Sequence, residues 1–127
     1  MGKNPFPPLT EWLEAKAAKI AMLEEKARIS LHEEQDQARY KQLMLEKASL
    51  LATLADEAAP FTAQLPQPTR NMVEEGLARF SHSAMVAKRV GSVFYMSALL
   101  YPEDHRPGEK NDLEIFMDSV RQAAKSA

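Results

Sequence analysis

Ser30-Leu31-His32-Glu33-Glu34-Gln35-Asp36-Gln37 is the stretch on which the architecture turns. It lies inside a run, Leu9 to Ala59, that has no Pro and no Gly and is dominated by strong helix formers. Before it, Leu13, Ile20, Ala27, Leu31 and Ala38 share one helix face at about 100° per residue. After it, Tyr40, Leu43, Leu50, Leu51, Leu54 and Ala58 share a face on roughly the opposite side. An underwound repeat of ~3.5 residues narrows that offset to about a third of a turn without removing it. The residues between, His32 to Gln37, are polar all round, and Ser30 with Glu33 has the form of a capping box. A turn here would give a compact four-helix bundle. A continuous helix over about 10–58 would be roughly 72 Å long at ~1.5 Å per residue, and would pair with the next helix as an elongated antiparallel hairpin of coiled-coil character. The lack of Gly and Pro weighs for the continuous helix, which is the expectation.

Outward from this run, Pro and Gly set the remaining boundaries. Asn4-Pro5-Phe6-Pro7-Pro8 reads as a stiff Pro-rich lead-in over 1–9, with Thr10 as the cap of the first helix. Residues 60–68 carry Pro60, Pro66 and Pro68 and break the helical pattern. Thr69 caps a second long helix over about 69–100, which Pro102 stops. Its first half has one apolar stripe, Val73, Leu77, Phe80 and Ala84. From Val86 it is apolar on nearly every face and needs cover on several sides. Residues 101–110 form a loop, and Asn111 with Glu114 starts a last helix over about 111–125. That helix carries the stripe Leu113, Phe116, Met117, Val120 and Ala124, with Ile115 pointing away. No alternating β-branched run occurs, so the fold class is all-α, in a single helical domain whose C-terminal segment 102–127 is free to move.

With 127 residues, 45% hydrophobic and 27% charged, the chain belongs with folded globular proteins. Basic and acidic residues number 16 and 18, and neither half of the chain is basic enough to track nucleic acid. The most apolar stretch, Val90 to Tyr101, falls well short of the ~20 residues of a membrane span. Zero cysteine removes thiolate chemistry and fits the cytoplasm. His32, His82 and His105 lack ligand spacing, so no metal or cofactor is expected. Glu24 with Arg28 and Glu75 with Arg79 read as surface pairs. Glu34 is the acid in line with the first stripe, and no catalytic residue stands out. A bundle enzyme with inward Arg or Lys groups stays open as an alternative, and it requires an internal polar pocket. Seven Met and the apolar C-terminal third point instead to protein binding, either of a partner's amphipathic helix or of another copy in a structural homo-oligomer. The folded-back alternative for the last helix is simple core, packed on Val86–Leu100.

The segment Leu45-Glu46-Lys47-Ala48-Ser49-Leu50-Leu51-Ala52-Thr53-Leu54 resembles the Glu-Lys-x-x-Leu-Leu-x-x-Leu segment of FlgN-type flagellar export chaperones. Leu31, the polar stretch 32–39, Tyr40 and Leu43 are similar to that family's pattern, and the likeness covers roughly residues 15–100. The resemblance implies a small bacterial cytosolic chaperone of type III secretion, without catalysis. Its partners would be the C-terminal helical tails of hook–filament junction proteins. It places the partner contacts toward the C-terminal segment, on Leu113, Phe116, Met117 and Val120. With the apolar end of the second helix, the candidate partner-binding residues are Phe94, Leu99, Leu100, Leu113, Phe116, Met117 and Val120.

Overall fold

The computed structural model describes residues 4–126, and within them the chain is helical, without strands. The helices are α1 (Phe6–His32), α2 (Gln37–Ala52), α3 (Leu54–Thr62), α4 (Thr69–Val90), α5 (Val93–Ala98) and α6 (Asp112–Ser126). They pack as a bundle in which α2 lies against α1 and α4, while α6 covers α1 and α4 from one side.

The chain turns at Glu33–Asp36, so the expected continuous helix over 10–58 is replaced by α1, α2 and α3. Gln35 takes the left-handed conformation, φ 52°, that a glycine would ordinarily supply. Asp36, not Ser30, caps α2, its carboxylate accepting from the Arg39 amide at 2.9 Å. The Asp36 amide returns to the Ser30 carbonyl at 2.7 Å. Residues 32–39 are all exposed, so the turn disturbs no core. Turning lets both stripes face the same interior. Leu13, Ile20 and Ala27 are buried from α1, with Leu43, Leu51, Leu54 and Ala58 from α2 and α3.

A second break at Thr53 divides α2 from α3, and α4 repairs it. The Ser81 hydroxyl donates to the Leu51 carbonyl at 2.9 Å and accepts from the Ala55 amide at 3.0 Å. Backbone groups freed by the kink are thereby paired inside the protein. Beyond it α3 runs through Pro60 to Thr62, further than three prolines in 60–68 suggested. Pro60 is exposed, and so is Asp56, whose carbonyl loses the amide that proline lacks and can turn to water.

The ends also shift from expectation. Residues 1–3 of the Pro-rich lead-in lie outside the described residues, and α1 already starts at Phe6, with Thr10 inside it. Pro7 and Pro8 are tolerated there because first-turn amides have no intrahelical acceptor. Phe6 and Leu9 are buried, which ties this turn to the core. Pro68 rather than Thr69 precedes α4. The expected helix over 69–100 stops at Val90, where Gly91 adopts φ 72° and donates back to Ala87 and Lys88. Ser92 then caps the short α5 through the Tyr95 amide. The capping box at the start of α6 forms as expected: Asn111 and Glu114 exchange two 2.9 Å hydrogen bonds.

Candidate functional site

Two interior features fix which surfaces remain open. The first is the seat of α6. Phe116 lies over Gly76, and a Cβ there would sit 2.9 Å from its Cδ1 and closer still to Cε1. Phe80 meets the same ring edge-on, centroids 5.5 Å apart. Leu113, Met117 and Val120 join this core with Leu9, Leu13, Val73 and Leu77. So α6 packs on α1 and the first half of α4, and of Val86–Leu100 it meets the end, where Leu100 joins the same core and its carbonyl accepts from the Asp112 amide at 2.9 Å.

The second feature is a buried charge. Lys47 is wholly inaccessible, yet its ammonium reaches Glu24 Oε2 at 3.0 Å and the Ser97 carbonyl at 3.1 Å. Its third side is covered by the Tyr101 ring, 5.1 Å to the centroid. Tyr101 donates to the other Glu24 oxygen at 2.8 Å. Burial lowers the Lys47 pKa against the opposing pull of Glu24. Burial and the Glu24 carboxylate raise Tyr101 to about 12. This cluster joins α1, α2, the end of α5 and the loop after it. It borders a shallow cavity of about 200 Å³ lined by Arg28, His32, Tyr40 and Met44 among others. Lys47 has its hydrogen bonds satisfied within the chain, so it pins helices together rather than waiting for a ligand.

The sequence held the signal for this cluster: Lys47 falls on the stripe of Tyr40, Leu43, Leu50 and Leu54. The expected surface pairs are redistributed accordingly. Arg28 pairs with Glu25, and Glu74 pairs with Arg70, while Glu24 serves Lys47. Glu34 sits exposed in the turn.

Of the seven candidate partner-binding residues, the structure leaves Phe94 outward and Leu99 half-buried, while Leu100, Leu113, Phe116, Met117 and Val120 are interior. What is open instead is the outer face of α4 with its neighbours. Nine large hydrophobic side chains are exposed in the described residues, and seven of them (Met72, Met85, Val86, Val90, Phe94, Tyr95 and Ile115) belong to α4, α5 and α6. Phe94 is 74% exposed and Val90 59%, on the two sides of the Gly91 turn. A groove of about 540 Å³ runs between α4 and α6, past Met72, Arg79, Phe80, Ser83 and Ile115. Ser83 is shared with a second groove of about 420 Å³, walled by Val86, Tyr95 and Leu99. The expectation that residues from Val86 onward need cover on several sides is met only inward, where Ala87 and Met96 are buried.

No group of three or more acidic, His or Cys side chains that could hold a metal occurs among the described residues. No described helix is long and apolar enough to cross a membrane. The fold and this face define a helical bundle with one open apolar flank. No family model, curated protein or solved structure matches the chain.

Proposed function

We propose that the protein is a non-enzymatic helical adaptor of the export-chaperone kind, holding an amphipathic helical tail of a client protein on the α4–α5 face. The observation that carries this reading is the pair Val90 and Phe94, large apolar side chains held outward beside a groove at the end of a well-packed bundle. Leu99 and Tyr95 wall that groove, and Ile115 extends the apolar surface along α6. Such a surface takes an amphipathic helix through anchors at helical spacing.

The FlgN-type resemblance supplies the client class, hook–filament junction tails, and with it a cytoplasmic setting. It also puts contacts on Leu113, Phe116, Met117 and Val120, which are buried in the free protein. Lifting α6 to expose them costs on the order of 6 kcal/mol or more, taking ~1.5 kcal/mol or more for each buried side chain. The α4–α5 face carries no such cost, so first contact falls on Phe94 and Leu99. Calorimetric titration of the full chain with synthetic junction-protein tail peptides tests this. Binding that is lost in Phe94→Ser and Val90→Asp, with unchanged thermal unfolding, supports it. No heat with any tail peptide sinks it.

A further inference from the structure

We propose that a second copy of this chain pairs on the outer face of α4, the two α4 helices antiparallel about a twofold axis near residues 81 and 82. Met72, Gly76, Arg79, Ser83, Val86 and Val90 follow one another at alternating steps of four and three, the spacing of a helix–helix seam. Along the exposed part of that seam the large apolar groups stand at the two ends, Met72 at one and Val86 with Val90 at the other. The small Ser83 lies exposed near the middle, and Gly76 is buried beneath Phe116 of its own chain. An antiparallel pair sets Met72 against the second copy's Val90 and Arg79 against its Ser83. The two ends lie about 27 Å apart at ~1.5 Å per residue, and each is extended by a further exposed side chain. Ile115 stands beside Met72 in the α4–α6 groove, and Phe94 follows Val90. The same twofold operation brings Phe94 of each copy toward Ile115 of the other.

Charge selects this occupant and this direction. Glu75, His82 and Arg89 recur every seven residues along one border of the seam. Among the described residues neither Glu75 nor Arg89 takes part in an ion pair. Antiparallel pairing places each Glu75 beside the second copy's Arg89, twice per dimer. Parallel pairing would set Glu75 against the second copy's Phe80, which is turned inward onto Phe116, and would leave both charges without a partner. The two Arg79 side chains approach the axis and keep the association weak and reversible. The inference stands on α4 alone and does not need the adaptor reading, although both use this face.

Sedimentation equilibrium of the full chain over about 1–200 µM, the range of weak interfaces, is the test. A dimer fraction rising with concentration is expected. Glu75→Arg and Arg89→Glu each weaken dimerisation roughly tenfold or more, since each reversal turns two attractive pairs repulsive. The double variant restores it to within about threefold, which a nonspecific effect would not do. Both residues are exposed, and circular dichroism checks that each variant folds. A monomer at every concentration, or a dimer indifferent to the single reversals, overturns the proposal. Tail-peptide binding by a chain that is monomeric throughout would overturn the pairing and leave the adaptor reading standing.

Discussion

Gly76→Ala is the most revealing single change, because helix propensity and tertiary packing predict opposite signs for it. Glycine inside a helix costs about 1 kcal/mol relative to alanine, so in an isolated α4 the substitution would stabilise. In the folded protein the new methyl falls within 2.9 Å of Phe116 Cδ1 and 3.3 Å of Cζ, with Cε1 nearer than either. Ordinary carbon–carbon contact is about 3.5–4.0 Å, so the ring must move by roughly 1 Å or more. Phe116 is boxed in by Phe80 and the core around Val73 and Leu77, and forced movement of this kind costs about 1–3 kcal/mol. Undocking α6 altogether would cost more, since four buried side chains would be lost. The ring therefore shifts, α6 moves slightly, and the net effect is a loss of about 1 kcal/mol. Urea unfolding followed by circular dichroism measures it. In a Phe116→Ala background the obstacle is gone, and Gly76→Ala should become stabilising by up to about 1 kcal/mol. Stabilisation in the parent chain, or the same ΔΔG in both backgrounds, would refute the packing of α6 on Gly76.

Removing Glu24 strands a buried ammonium: Glu24→Ala should destabilise by about 3 kcal/mol in urea unfolding, toward the low end for a buried pair because Glu24 is 22% exposed. Replacing the pair together, Glu24→Leu with Lys47→Met, should cost far less than Glu24→Ala alone. The Tyr101 pKa is raised on folding from 10.0 to about 12, so its contribution to stability is complete below pH ~10 and fades as pH rises through about 12. Lys47 runs the other way, its lowered pKa letting stability recover as pH climbs toward 10.5. Absorbance titration near 295 nm should therefore show a tyrosine that ionises late, and Tyr101→Phe should remove that phase. Gln35→Gly should stabilise by up to about 1 kcal/mol because Gln35 holds φ 52° in the turn, whereas loss of stability would argue for a continuous helix there.

Helicity, the absence of strands and the start of α6 were legible because each follows from local chemistry: propensity, periodicity and a two-residue capping exchange. The opposed stripes in the first fifty-odd residues also carried the turn at Glu33–Asp36, but the missing glycine masked it. A glutamine in left-handed conformation costs only ~1–2 kcal/mol, which joining the two stripes in one core repays many times over. The stop at Gly91 was available in the same way, as a glycine at the end of a stripe, and the apolar run after it hid the signal.

That this chain makes amphipathic helices, and which side of most of them is apolar, follows from neighbours three and four residues apart and is written locally in the chain. Which apolar groups find cover is settled by packing between distant segments. Phe116 is interior because Gly76, forty residues earlier, leaves room for its ring, and Phe94 is exterior because the Gly91 turn swings α5 so that Met96 points inward in its place. Lys47 is buried because Glu24, Ser97 and Tyr101 arrive from three separate segments to meet it. Burial depends on what the rest of the chain brings alongside, and no local pattern encodes that.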